Sequence, residues 1–385
     1  MGADLKPIRS VIPVWPTGAH FTRLHGWSTK WQEWFPFNVG AGTWTFTGRV
    51  ALYHGLATLK LPAHSTILVP CYHQGIEIDT LLAAGYRVRY YRVNEQLYVD
   101  LADVERRLDD TVSAVYVTHY FGFPQPLELI GRLCEARRLK LIEDCALSLF
   151  SRDNGTWLGS VGDFALFCLY KTLPLPHGGF LVTKAGQATT TLPPAPLAST
   201  FVQMADLLHQ GMRASGWGQL ERWVAHASHA VRKLIRWDRS RTILSGSGWD
   251  PRMLESGASP WIARLMRLMN PEAVVARRQA NYARLAAHLR PYLSCPFPDL
   301  PGGTCPLFFP VMVRDRRSFQ QHLESLGVQS GNWWEVSHPT CPRALADEVA
   351  CWRRECLELP IHQELSPEHI DRVAAAVLTV LARRP

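Results

Sequence analysis

Short apolar runs alternate with amphipathic stripes along the first half of the chain. STILVP (65–70), YRVRYYRV (86–93), SAVYVTHYFG (113–122), LKLI (139–142), FALFCLY (164–170) and FLVT (180–183) read as strands. Between them, VDLADVERRL (99–108) carries acids in its first turn, and PLELIGRLCEARRLK (126–140) repeats its apolar residues at helical spacing. Strand and helix alternating at these lengths predict right-handed crossovers and a largely parallel α/β sheet. The second half opens with a long helix at NPEAVVARRQANYARLAAHL (270–289), with Asn270 as N-cap and Pro271 in the first turn. A strand (306–315), a helix ending at Gly327 and a closing strand–turn–helix follow.

Two strand-like runs end on groups that do not belong in a core. LKLIED closes on Asp144 and FALFCLYK on Lys171, and a Gly178-Gly179 pair opens the next run. In a parallel sheet the strand C-termini border the ligand crevice. Each residue alone is ordinarily a turn cap or a surface lysine. An acid and a lysine at neighbouring strand ends suit pyridoxal phosphate, which needs an amine for its aldehyde and a carboxylate to keep its pyridine nitrogen protonated.

Composition narrows the class. The chain has 385 residues, 19% charged and 47% apolar, enough for a large core and two domains. No apolar run is long enough for a membrane helix, and the N-terminus has no signal-like apolar core. The nine cysteines are scattered without a C-x-x-C pair, which reads as reduced thiols in a cytoplasmic protein. The net charge of +8 favours acidic partners such as nucleotide diphosphates, and no nucleic-acid motif accompanies it.

The central stretch resembles the DegT/DnrJ/EryC1/StrS sugar aminotransferases, a branch of the fold-type-I pyridoxal phosphate enzymes. That family has an E-D-x-A acid motif, a G-x-x-G-D segment, an F-S strand, the Schiff-base lysine and a Gly-Gly strand. Here they read Glu143-Asp144-Cys145-Ala146, Gly159 to Asp163, Phe167-Cys168, Lys171 and Gly178-Gly179. A second match lies far away, at LPIH (359–362) and SPEHIDRV (366–373). The resemblance implies the three-layer, mostly parallel sheet of the pyridoxal phosphate-dependent transferases with a smaller C-terminal α+β domain. The Trp-, Pro- and Gly-rich residues 1–45 read as an irregular arm, leaving a large cofactor domain over 46–250 and a small domain over 251–385.

Carried over residue by residue, the resemblance implies that Lys171 holds the cofactor and Asp144 pairs with its ring nitrogen. Thr47-Gly48-Arg49 aligns with a phosphate-binding turn at a helix start, so Gly48 and Arg49 are expected at the phosphate, with Cys168 in the place of a serine. The family's stacking aromatic aligns with Gln74, which leaves Tyr72 or His73 to stack on the ring. His119 matches a family histidine and is expected near the cofactor. Leu147 stands where the family has Gln or His, and Ser148 is the candidate replacement. GNWWEVSHP (331–339) is read as part of the substrate rim.

The implied reaction moves an amino group from glutamate or glutamine to a nucleotide-linked keto sugar, for polysaccharide or secondary-metabolite synthesis, in a homodimer. A sugar dehydratase or non-sugar aminotransferase of the same family, and a decayed binding module, are the alternatives. Lys171 argues against the dehydratases, which carry histidine there. The family's G-x-N-x-R-M motif, through which a second subunit reaches the phosphate, is missing; SGASPWIARLM (256–266) has no Asn. Between about 200 and 245 lies a basic insert, whose helical stripe over 219–241 reads as a surface helix or a peripheral contact with an anionic membrane.

Overall fold

The computed structural model describes Ile8 and residues 30–40, 42–184, 190–215, 251–332 and 334–383. The expected basic helix over 219–241 lies outside the described residues, as does the insert beyond Ser215.

The short apolar runs form one seven-stranded sheet. Its strands are β1 (Gly42–Thr45), β2 (Thr66–Pro70), β3 (Arg87–Tyr91), β4 (Val112–Thr118), β5 (Lys140–Cys145), β8 (Phe164–Cys168) and β9 (Gly179–Thr183), and two short strands, β6 (Arg152–Asp153) and β7 (Thr156–Trp157), make a hairpin beside it. The order is β1-β9-β8-β5-β4-β2-β3. The pairs from β8 through β5, β4 and β2 to β3 are parallel, and β9 runs antiparallel to both its neighbours. The mostly parallel sheet expected from the alternation is therefore present.

The pleat divides the core. Along β8, Phe164, Leu166 and Cys168 join one hydrophobic cluster, while Ala165 and Phe167 join another. In β9, Leu181 goes with the first cluster and Phe180 and Val182 with the second. Successive side chains point to opposite faces, so a run that is apolar throughout feeds two cores. The second core is sealed by the aromatic segment near the N-terminus. Trp31 and Phe35 are buried, and Phe37 meets Phe180 edge-on at 5.2 Å. The Arg152 guanidinium sits 3.6 Å above the Trp157 ring beside them.

The long helix Pro271–Leu289 starts as its sequence predicts, with Asn270 Oδ1 accepting the Ala273 N–H and Pro271 in the first turn. It packs on the C-terminal helix Pro367–Ala382, where Ser366 and His369 form a reciprocal cap. A two-stranded antiparallel sheet, β10 (Phe309–Met312) with β11 (Cys356–Leu359), completes the C-terminal region.

Candidate active site

Strand β5 delivers two adjacent acids to opposite faces. Glu143 is fully buried and accepts the N–H groups of Gly159 (2.7 Å), Val161 (2.8 Å) and Gly162 (2.5 Å), with His119 Nε2 at 3.1 Å. Burial pushes its carboxyl pKa up, but these partners outweigh burial and hold it below the usual range. Glu143 is thereby a structural acid that folds the 159–162 loop against the strand. Asp144 faces the other way, into a cavity of about 580 Å³. Its Oδ2 accepts the Tyr116 hydroxyl at 2.7 Å, and its Oδ1 accepts the Ala146 N–H at 2.8 Å.

Lys171 enters the same cavity from the helical turn Leu169–Thr172, which follows β8 directly. Cys168, the last residue of β8, lines the cavity, and burial raises its thiol pKa. Against Cys168 the helix Gly48–Thr58 begins, with Gly48 and Arg49 at the cavity wall. The approach of this turn to β9 depends on glycine. A Cβ on Gly179 would lie 2.3 Å from the Thr47 carbonyl carbon, and Gly178 has φ +131°. The Gly-Gly pair therefore lets the helix N-terminus stand against the strand. The first turn of the helix and the positive end of its dipole then face the cavity, together with a half-buried guanidinium.

Three expected cofactor contacts lie elsewhere. Tyr72 is buried away from the cavity, its ring centroid 5.0 Å from that of Trp334 and 5.1 Å from the Arg353 guanidinium. His73 is fully buried between Pro70, whose carbonyl is 3.2 Å from Nδ1, and His338, whose N–H donates to Nε2 at 2.9 Å. Burial lowers its pKa to about 4, so it is a neutral acceptor there. His119 points with Glu143 to the opposite face of the sheet, and the Gln125 N–H donates to its Nδ1. All three corrections share a cause. The side a residue faces just after a strand depends on how the loop leaves the sheet. Ser148 likewise is buried outside the cavity wall.

The wall holds residues that the sequence reading passed over. Tyr116 looked like one more apolar residue of its strand and Glu77 was not singled out, while Gln74, the position aligned with the family's stacking aromatic, also lines the wall. Period-two alternation from Thr118 could have placed Tyr116 on the Asp144 side. Glu77 is half-buried, and its pKa is raised to about 7, first by burial and then by Asp144. From the C-terminal region Asn332, Trp334, Glu335 and Val336 close the cavity, where the substrate rim was expected.

A carboxylate and an amine at adjacent parallel strand ends, with a helix N-terminus and an arginine in the same cavity wall, make up the frame of a pyridoxal phosphate-dependent transferase. The residues fit that cofactor: Asp144 keeps its carboxylate at the floor, Ala146 leaves room beside it, and the cavity volume exceeds that of the pyridine ring and its phosphate. The chain belongs to the DegT/DnrJ/EryC1/StrS aminotransferase family, whose family model matches residues 44–378 and whose cofactor is pyridoxal phosphate. It is 27% identical over 150 residues to the GDP-perosamine synthase of Vibrio cholerae, covering 38% of this chain and 41% of that one. The first curated relatives are thus matched over about two fifths of their length. The similarity to a UDP-N-acetyl-3-dehydro-alpha-D-glucosamine 3-aminotransferase of Acidithiobacillus ferrooxidans is 26% over 89% of this chain and 85% of the relative. The fold is that of NtdA from Bacillus subtilis, solved with bound cofactor PMP. The TM-score is 0.63 at 16% identity, over 96% of this chain and 78% of that one.

Proposed function

We propose that this protein is a pyridoxal phosphate-dependent aminotransferase that moves an amino group from an amino acid, glutamate or glutamine, to a keto sugar linked to a nucleotide. The observation that carries the reading is the convergence of Lys171 and Asp144 in one cavity, with Gly48 and Arg49 in the same wall. The cofactor, when bound, supplies an aldehyde and an electron-withdrawing ring. Lys171 would bind the aldehyde and, once displaced by the donor amine, move the proton at the reacting carbon as base and then as acid. Asp144 would keep the ring nitrogen protonated, its own position fixed by Tyr116 and the Ala146 N–H. Arg49 and the helix N-terminus would hold the phosphate, with Cys168 at its edge.

The family and the names of its relatives support the substrate class, and Asn332 and Glu335 at the cavity rim are consistent with a large hydroxylated ligand. Working as a cytoplasmic homodimer in polysaccharide or secondary-metabolite synthesis belongs to the same proposal. The test is the visible spectrum of the protein with pyridoxal phosphate, before and after L-glutamate or L-glutamine. A visible band, absent in Lys171→Ala and shifted by the donor, is the expected result. A protein that takes up no cofactor would overturn the reading in favour of a binding module with a decayed site.

A further inference from the structure

Two buried arginines hold the part of the cavity wall that comes from the C-terminal region, and the proposed cofactor chemistry uses neither. Arg353 stands in the helical segment Ala350–Glu355, which leads into β11, and it is 5% exposed. Its Nη1 lies 2.7 Å from the Trp334 carbonyl oxygen, 3.0 Å from that of Val336 and 3.1 Å from that of His73. Its Nη2 donates to the Cys71 carbonyl at 3.1 Å. Trp334 and Val336 line the cavity, while Cys71 and His73 belong to the loop that leaves β2. One guanidinium therefore ties the wall to the cofactor-binding sheet. A planar fork with five donors suits this spread of acceptors better than the compact ammonium of a lysine. Arg316, also buried, adds a second tether: its Nη2 donates to the Glu335 carboxylate, and its Nη1 to the carbonyls of Arg353 (2.8 Å) and Cys356 (3.1 Å). Among these tethered residues Trp334 has φ +61°, a left-handed conformation that a bulky residue keeps only where its surroundings enforce it. Its ring packs on Tyr72 and Tyr120, with centroids 5.0 Å and 5.6 Å away. Without the tethers, the backbone at Trp334 would relax and the wall would move.

We propose that Arg353 is a positioning residue that keeps Trp334, Glu335 and Val336 in place as a preformed wall of the active site, with Arg316 in support. This rests on the aminotransferase reading above. A substrate that reaches Lys171 enters the cavity that these residues close, and it meets a wall that is already ordered. Binding then carries no further cost of fixing that segment.

The test compares the wild type with Arg353→Met, both loaded with pyridoxal phosphate. Hydrogen exchange followed by mass spectrometry reads the peptides covering Trp334 to His338. The shift of the cofactor band by L-glutamate or L-glutamine gives a half-saturating donor concentration and a limiting rate. Loss of a hydrogen bond to a charged group is worth about tenfold. Exchange at Trp334 to His338 is therefore expected to speed up at least about tenfold, while β4 and β5 keep their wild-type exchange. A substrate that finds the wall in place about a tenth of the time binds about tenfold more weakly. The half-saturating concentration should rise by that factor at an unchanged limiting rate, because Lys171 and Asp144 are untouched. Arg353→Lys should recover part of both effects, and Arg316→Met should produce both to a smaller extent. Those two variants decide the matter if Arg353→Met does not hold the cofactor band. Wild-type exchange at Trp334 to His338 in the variants, or a limiting rate that falls while half-saturation stays, overturns the proposal. A wild-type band that neither donor shifts overturns the donor assignment instead, and the exchange comparison, which needs no substrate, then decides the role of Arg353.

Discussion

Arg278→Ala is expected to destabilise the protein by about 4 kcal/mol. Arg278 is fully buried on the Pro271–Leu289 helix, and all its acceptors are carbonyl oxygens. Nε donates to Gln363 Oε1 at 2.8 Å, Nη1 to the carbonyls of Pro306 (3.1 Å) and Leu307 (2.7 Å), and Nη2 to that of Thr172 (3.1 Å). Truncation removes a donor from four buried acceptors. Thr172 still receives Gln363 Nε2 at 3.0 Å, so three suffer most. At about 2 kcal/mol each, the loss is about 6 kcal/mol, to which the lost packing adds about 1. Against this, the variant no longer buries a cation. Burial pulls the Arg278 pKa down from the usual guanidinium range to about 10, which corresponds to about 3 kcal/mol of relief. The net, about 4 kcal/mol, is a large part of the 5–15 kcal/mol typical of a folded domain.

Urea unfolding followed by far-UV circular dichroism, at one fixed cofactor concentration, measures the loss as a fall in midpoint at unchanged slope. Because Thr172 is the neighbour of Lys171, the cofactor band should weaken at urea concentrations where the wild type keeps it. Arg278→Lys keeps the charge but cannot span four acceptors, and about half the loss is expected. A loss below about 1 kcal/mol in Arg278→Ala would refute the reasoning, since it would mean that the orphaned carbonyls find water or new donors.

Two further predictions concern the site's supports. Gly179→Ala should cost at least about 3 kcal/mol and abolish the cofactor band, because its Cβ would fall 2.3 Å from the Thr47 carbonyl carbon and push the 47–49 turn away; a normal thermal midpoint with a normal band would refute it. Stability should fall as the pH is lowered from 6.5 to 4. His73 and His177 are fully buried, with pKa values lowered by burial to about 4, so the unfolded chain takes up protons below pH 6.5 that the folded chain refuses. Each contributes about 3 kcal/mol that is present above pH 6.5 and gone at pH 4. Thermal melts between pH 7 and pH 4 check this, and a midpoint that stays flat across that range would count against it.

Much of the architecture was legible because it is written in local pattern. The apolar runs named strands, and their alternation with helices named a parallel sheet. Asp144 and Lys171 stood out as a pair, because an acid and a lysine close strand-like runs whose ends border the crevice of a parallel sheet. Arg278 shows the opposite case. In VARRQAN it is one of two adjacent arginines and reads as a solvated face. Only the packing of its helix over Thr172, Pro306 and Gln363 makes it a buried hub.

The sequence by itself determined the fold class, the family and the two groups expected at the heart of the chemistry. These rest on short-range facts: side-chain period, chain length between strands, and residues that break a pattern. The tertiary structure alone decided what surrounds those groups. It turned Tyr72, His73 and His119 away from the cavity and brought Tyr116, Glu77, Asn332, Trp334, Glu335 and Val336 into its wall. A loop's exit angle, and the meeting of segments more than 200 residues apart, leave no periodic trace in the chain. They follow from which faces can be buried together, a property of the whole fold.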